Sequence, residues 1–347
     1  MMKTDADLQK RAEALYNYRL YSVSQFRAFS KYAWNTAKEI SGHYGGTHLG
    51  IWSHMLWCNL RYGVSHCQDY VLFEFYKKKG CEINTFLTRR RYLKLIKQFD
   101  KQTFFSLIDK AAIYNRYAEF IKRDWMTVDE NTSSDEIKRF LEKHKRALLK
   151  PLSSEKGFGI KSISSNDIDL MNHLVKERGK HSYLLEEICE NCNELKEINP
   201  SSLNTLRIYT IVNERNDVEI ASVCVRCGCG NSVVDNWGSG GVCYPVDVET
   251  GVVCSQGVDM KGRKHIVHPG TSIVMPGMRI PRIKEACELA KTIIQKDKKV
   301  VYSGLDLAIL PDRIELIEIN FPGGRFALQI LDQVGKYHLF NHIFKTK

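Results

Sequence analysis

Apolar and aromatic residues recur at three- and four-residue steps from the start of the chain to about residue 105, the spacing of buried helix faces. The run DADLQKRAEALYNYRLYSVSQFRAFSKYAWNTAKEI carries this period, and DYVLFEFYKKKGCEINTFLTRRRYLKLIKQF continues it with breaks at Gly80 and Asn84. Residues 1–105 are therefore expected to be mostly helical. From about 145 the texture changes to short strand-like runs: ALLKPL, GIKSI, SYLLEEI, TLRIYTIVN, EIASVCVR, SVVDNW, VVYSGLDLAIL and RIELIEINF. Gly-rich turns separate them, and two helical segments are expected near 166–179 and 281–297. Hairpin-like strand pairs with a few helices predict an α+β fold, not a doubly wound parallel sheet. No internal repeat or low-complexity linker interrupts the pattern.

Composition changes this picture in three ways. A chain of 347 residues with 43% hydrophobic residues can bury a sizeable core in one large or two to three ordinary domains. A net charge of +11 favours anionic partners such as nucleic acid, anionic lipid, phosphate-bearing small molecules or acidic glycans. The basic clusters FYKKKG and TRRRYLKLIK interleave with aromatics, but no nucleic-acid motif accompanies them, so a solvated helix face is preferred to a nucleic-acid surface. The charged opening segment lacks the apolar stretch of a secretory signal, and no run of about 18 apolar residues would span a membrane. A cytoplasmic protein with reduced thiols is expected.

Eleven cysteines raise the question of zinc. Cys189 with Cys192, and Cys224 with Cys227, form a CxxC…CxxC pair able in principle to hold the ion. The gap between the pairs is longer than in a usual zinc ribbon, and VEIASVCVRCGCG alternates like a strand. Buried, reduced cysteine is preferred.

The chemistry concentrates elsewhere. GLDLAILPDRIELIEINF reads as two strands around a turn. Alternation puts Glu318 and Asn320 on one face, and antiparallel pairing brings Asp306 opposite them. Two carboxylates and an amide oxygen on apolar strands suit Mg2+, which prefers hard oxygen ligands. Either acid is expected to be removable without harm to the fold. Lys150 ends the run ALLK as a point charge able to reach a phosphate. Behind it, Ser153, Ser154, Lys156, Gly157 and Gly159 form a donor-rich loop able to fold over an anion. Neither a P-loop nor a dinucleotide fingerprint is present. The apolar run Tyr183 to Leu185 leads through Glu186, Glu187 and Ile188 into a segment able to present its backbone to an adenine edge, with Glu194 as an acceptor for ribose hydroxyls. Arg207, on a strand, suits a phosphoryl group or a carboxylate. Arg279, Arg282, His265 and His268 are weighed as substrate contacts, the histidines more readily as ordinary loop residues.

Taken in order, these elements resemble the ATP-grasp superfamily, and within it the sugar-transfer associated ATP-grasp family. The resemblance rests on DKAAIYNRYAEF, LLKPLSSEKGFGI, YLLEEI, SLNTLRIYT, VVDNWGSGGV, HPGTSIVMPG and GLDLAI…LIEIN, and covers about residues 60–335. It implies two α+β lobes with antiparallel sheets gripping ATP, an N-terminal lobe over 106–182 and a C-terminal lobe over 183–347. It implies that Lys110 and Lys150 contact phosphates, that 153–159 forms a lid, that Glu186 to Ile188 flank adenine, and that Asp306, Glu318 and Asn320 hold one or two Mg2+ ions. Cys189 and Cys192 depart from what is expected after the linker. The implied activity is carboxylate–amine ligation through an acyl phosphate on an acidic small-molecule or glycan substrate, in surface polysaccharide biosynthesis. The alternatives are an ATP-grasp kinase and a zinc-containing nucleic-acid-binding protein. No nucleic-acid partner and no membrane span are expected, with peripheral association with a glycan-assembly complex as an option.

Overall fold

The structure, a computed structural model, describes residues 10, 13–18, 22–152, 159–167 and 182–345. Its helical start comprises α1 (Val23–Tyr44), α2 (His48–Tyr62), α3 (Cys67–Leu72), α4 (Gly80–Ile83), α5 (Arg89–Ile96), α6 (Lys101–Ser106) and α7 (Lys110–Arg116). Ser22 and Thr47 cap α1 and α2: each hydroxyl accepts a backbone N–H at 3.1 Å, from Gln25 and Gly50. Such caps satisfy donors that a helix start leaves open. In α1 the buried residues Phe29, Ala33, Ala37 and Ile40 follow the expected spacing. They pack in one cluster with Met55, Phe73, Phe75 and Phe86, and with Val258 and Ile330 from far along the chain. The helices are thus fastened to the C-terminal part. Of the two expected breaks, Gly80 opens α4 and Asn84 closes it.

The first sheet follows: β1 (Trp125–Val128), α8 (Ser134–His144), β2 (Arg146–Pro151), β3 (Lys161–Ser164) and β4 (Tyr183–Glu187). The order is β1-β4-β2-β3, antiparallel throughout. Ser133 and Glu136 form a capping box that starts α8, whose Ile137 and Leu141 lie a turn apart and are buried. β4 pairs with β1 and β2, so the small sheet ends at Glu187, and the expected lobe boundary at 182/183 cuts through it. The helix expected near 166–179 falls outside the described residues from 168 on, as do Ser153, Ser154, Lys156 and Gly157 of the expected lid.

The second sheet contains β5 (Thr205–Val212), β6 (Val218–Cys227), β7 (Val242–Pro245), β8 (Gly257–Asp259), β9 (Lys264–His265), β10 (Tyr302–Ile309) and β11 (Ile314–Asn320). Its order is β11-β10-β5-β6-β7-β8-β9. α9 (Asn193–Ile198) precedes it, α10 (Ile283–Gln295) fills the predicted 281–297 helix, and α11 (Ala327–Ile330) and α12 (Asn341–Lys345) close the chain. α10 buries Ile283, Ala286, Cys287, Ala290, Ile293 and Ile294, a single stripe at helical spacing. Every residue of β10 is buried, which explains its near-continuous apolar sequence.

One strand expectation fails. SVVDNW forms no strand; Val234 makes only an isolated bridge to Leu203, and Trp237–Ser239 is a short 3-10 turn. The cause is Asp235, which turns inward to accept the Thr205 N–H at 2.9 Å and an Arg226 N–H at 2.6 Å. The fold is α+β, with two antiparallel sheets behind a helical N-terminal region.

Candidate active site

The floor of the site lies on β10 and β11. Asp306 and Glu318 are direct cross-strand partners, and Gly304 faces Asn320. The Asn320 amide donates to Gly304 O at 3.3 Å and to Asp306 Oδ2 at 3.4 Å. The three residues chosen from alternation therefore meet on one face.

Asp306 is buried and doubly paired. Arg207 grips it with both arms of its fork, Nε to Oδ1 at 2.5 Å and Nη2 to Oδ2 at 2.9 Å. Arg226 Nη1 donates to Oδ2 at 2.8 Å, while its Nη2 reaches Asp235. Gly304 makes this possible: a Cβ there would stand 3.0 Å from Arg207 Cδ, in the path of the guanidinium. Burial alone would raise the Asp306 pKa, but the charges of Arg207 and then Arg226 outweigh it and hold the carboxyl below its ordinary value. Glu318 has the opposite balance. Water reaches it, yet protein crowds it as on the floor of a cleft. Burial and then the Asp306 charge raise its pKa, against the pull of Lys110. A carboxylate held above its ordinary pKa gains from a cation placed beside it. Glu318, the remaining lone pairs of Asp306 and the Asn320 side-chain oxygen make a hard-oxygen donor set that fits Mg2+.

The roof comes from the small sheet. Lys150, at the end of β2, forms a 2.8 Å ion pair with Glu186 Oε1. The other oxygen of Glu186 accepts from Arg123 Nε at 2.7 Å. Burial works to raise the Glu186 pKa, but Lys150 and Arg123 pull it down to about 2. Arg123 in turn donates to Glu315 Oε1 at 3.1 Å, to Leu316 O at 2.5 Å and to Ile317 O at 3.3 Å, all on β11. Burial opposes the Arg123 charge, yet Glu186 more than compensates and its pKa is raised. A continuous chain of charges thus connects Lys150 to the strand that carries Glu318.

Between floor and roof is a cleft of about 570 Å³. That size is ordinary for a small-molecule site. Lys110, Lys150, Arg207, Glu318 and Asn320 line it, joined by Arg226 and Arg325. Lys110, in the first turn of α7, donates to Pro151 O at 3.3 Å.

The remaining candidates fall elsewhere. Glu186, expected on the adenine side through its backbone, has its side chain buried on β4 and engaged on both sides. Glu187 accepts the Asp124 N–H at 3.0 Å and stands near Asp124 and His144. Ile188 is half-buried just past β4, and Glu194 is exposed in the first turn of α9; neither borders the cleft described above. His268 is buried and bonded to Gly228 O at 2.9 Å, a packing role, and His265 pairs with Asp259 at 3.2 Å. Arg279 binds Thr250 O and Arg282 pairs with Glu285 at the surface. All eleven cysteines are free, and among the described residues no cysteine belongs to a cluster able to share an ion; the one such cluster is Asp124, His144 and Glu187. Burial pushes the Cys189 thiol up to about 11 and raises Cys192 and Cys227 as well, which disfavours the thiolates zinc requires.

Three residues central to this geometry escaped the reading of the sequence: Arg123, Arg226 and Arg325. Arg226 sits beside Cys227 on β6, and alternation puts it on the opposite face of the strand from that cysteine. For Arg123 and Arg325 the partners are 192 and 256 residues away, at Glu315 and Asp69.

The family model described as sugar-transfer associated ATP-grasp matches residues 89–345. Similar solved structures include an ADP complex of N5-carboxyaminoimidazole ribonucleotide synthetase, 10% identical with a TM-score of 0.46, covering 71% of this chain and 54% of that one. A D-alanine–D-alanine ligase from Bacillus anthracis is 11% identical with a TM-score of 0.43, covering 72% and 69%. A D-Ala:D-Ser ligase from Enterococcus faecalis is 12% identical with a TM-score of 0.46, covering 73% and 67%. The chain thus spans about half the length of the first of these. No curated protein matches the sequence.

Proposed function

Because the chain belongs to the sugar-transfer associated ATP-grasp family, we propose that it is an ATP- and Mg2+-dependent carboxylate–amine ligase working through an acyl phosphate. The observation that carries this reading is the pairing, across one cleft, of an oxygen-rich floor with two lysines of the opposite wall. In this reading the triphosphate lies between Lys110 and Lys150 on one side and Glu318 with Asn320 on the other. When bound, Mg2+ neutralises phosphate charge and orients the terminal phosphoryl group. Residues 106–187 and 188–345 act as the two gripping lobes, with 153–159 as lid.

The chain's own residues do the rest. A substrate carboxylate oxygen attacks the terminal phosphorus as the bond to the β-phosphate oxygen breaks, giving ADP and an acyl phosphate. An amine then attacks the acyl carbon, orthophosphate leaves, and the amine loses a proton. Both steps move negative charge through the cleft, so positioning and charge neutralisation supply most of the catalysis. Glu186 pairs with Lys150 and aims it at the phosphates. Arg207, although paired with Asp306, faces the same cavity and contributes positive charge to it. Asp306 keeps both arginines in place and completes the metal's donor set.

The substrate is a sugar acid or amino acid, and the setting is polysaccharide biosynthesis in the cytoplasm; the family description and the free thiols support this. Among the described residues no helix is long and apolar enough to cross a membrane. The test is an ADP-release screen with Mg2+ over uronic acids, amino acids and amines. A ligase releases orthophosphate in step with ADP, whereas a kinase leaves it on the product. Unaltered turnover in a folded Glu318→Ala protein would sink the metal assignment.

A further inference from the structure

Part of the cleft lining is left unused by the nucleotide reading: Arg325, Phe326, Trp237, Asn236 and Gly238. Arg325 and Trp237 both lie against the Phe326 ring. Arg325 follows β11 in the turn FPGGRF and is fixed by several contacts. Tyr302 OH donates to Gly324 O at 2.5 Å, and Gln329 Nε2 to Arg325 O at 2.9 Å. Gly323 is pressed so closely on β10 that a Cβ would fall 2.5 Å from the Ser303 carbonyl carbon. The guanidinium stacks over the Phe326 ring at 4.0 Å. Its Nη2 meets Asp69, which arrives from α3 in the N-terminal helices and also accepts the Arg89 N–H at 2.6 Å.

Two features mark Arg325 as a group for a ligand. Arg207 and Arg226 share Asp306, and Arg207 spends both arms of its fork there. Arg325 spends one donor on Asp69, and its Nε, like that of Arg226, is buried with no hydrogen-bond partner. A buried, unpaired guanidinium donor costs free energy until an acceptor arrives. Second, the neighbouring Trp237 is half-buried, and its indole N–H is anchored on Val258 O at 2.8 Å, which fixes the ring plane at the cleft wall. A fixed aromatic face beside a planar cationic fork suits a ligand with an apolar C–H face and one carboxylate. A uronic acid has that form. A single fork already charge-paired with Asp69 has little charge to offer a polyphosphate and suits one carboxylate bound through its remaining donors.

We propose that Arg325, oriented by Asp69 and flanked by Trp237, holds the carboxylate of a sugar-acid substrate in this part of the cleft, so that the N-terminal helices complete the substrate site. This rests on the ligase reading and adds to it the substrate class and the residues that select it. Arg325 and Trp237 touch the substrate; Asp69 is a positioning residue.

The test uses the full chain with Mg2+ and a non-hydrolysable ATP analogue, titrated calorimetrically with D-glucuronate and, as the uncharged counterpart, D-glucose. Glucuronate is expected to bind about 10- to 100-fold more tightly than glucose, the range for a charged hydrogen-bonded pair. Arg325→Gln removes that preference while analogue binding stays unchanged. Arg325→Lys keeps a cation beside buried Asp69, so it folds even if the Gln variant does not, and it loses most of the preference along with the fork. Trp237→Ala weakens both sugars. Equal binding of the two sugars by the parent protein, no binding of either, or an undiminished preference in Arg325→Lys overturns the proposal. If the ATP analogue itself fails to bind, the ligase reading falls instead.

Discussion

Two runs of buried charge pass through this molecule, and they differ in what they join. Arg207–Asp306–Arg226–Asp235 joins β5, β10 and β6 of the large sheet and ends in the loop after β6. Lys150–Glu186–Arg123–Glu315 leaves the small sheet and ends on β11 of the large one. In each, a central carboxylate is shared by two cations, and in each the cations outweigh the cost of burial and lower its pKa. The in-sheet run fixes the charge of the floor. The cross-sheet run fixes where the roof stands over it. Buried ion pairs are weak contributors to net stability but expensive to break halfway, because the partner left behind is an uncompensated buried charge. Both runs should therefore lose stability with a member, and they should differ in catalysis.

The largest effect is expected from Asp306→Ala. It strands Arg207 and leaves Arg226 with Asp235 alone, so it should cost about 3–5 kcal/mol in urea unfolding. This revises the expectation that Asp306 can be removed without harm to the fold. Arg123→Met leaves Glu186 with Lys150 alone and Glu315 with Arg313 alone, and should cost about 1–3 kcal/mol, less than a change that strands a charge outright. Unlike the first change, it should also raise the KM for ATP in whatever fraction remains folded, since Lys150 loses its fixed support. Equal KM values in the Arg123 variant and the parent would erase the distinction between the two runs.

Glu318→Ala sharpens the comparison from the other side, because this acid belongs to neither run. ADP release should fall by about 10²- to 10³-fold, while the unfolding midpoint holds or rises. The sign follows from the raised pKa of Glu318. An acid that the fold holds above its ordinary value costs stability once it ionises. Removing it relieves that cost at neutral pH, and the Mg2+-dependent gain in melting temperature of the parent should vanish.

A smaller effect appears in acid. The folded Glu186 pKa is lowered from 4.5 to about 2. Its stabilisation is therefore fully present above the ordinary carboxylate range and is lost as pH falls from about 4.5 toward 2. A melting-temperature profile of Glu186→Gln should be flatter than the parent's across that window. The smallest effect belongs to Arg282→Ala, whose pair with Glu285 sits at the surface and should be worth about 0–1 kcal/mol. A larger loss would mean that exposed pairs matter here as much as buried ones.

The floor was readable in the sequence because alternation is local. Once IELIEIN is a strand and GLDLAIL its neighbour, Asp306, Glu318 and Asn320 have nowhere to go but the same face. The helical start and α10 were readable for the same reason. The roof was only half readable: Lys150 could be placed at a strand end, but its partner was read as part of an adenine-side linker. Nothing near Glu186 announces Arg123, 63 residues earlier, which meets it only after both sheets have formed. SVVDNW misled because its apolar pair resembles a strand, while Asp235 is committed to the Thr205 backbone. β1 was missed because four residues with one buried position give no period to detect.

The contact between Asp69 and Arg325 ties α3 to the turn after β11. The family model matches from Arg89 on, so α1 to α4 lie outside the matched unit. A chain trimmed to that unit would keep both lysines and all three oxygen ligands, yet Arg325 would lose its counterion and Val258 and Ile330 would be stripped of the aromatic packing that seals them. Through that one counterion and that packing the helices brace a wall of the cleft, so changes among them reach Arg325 while leaving the lysines and the oxygen ligands untouched.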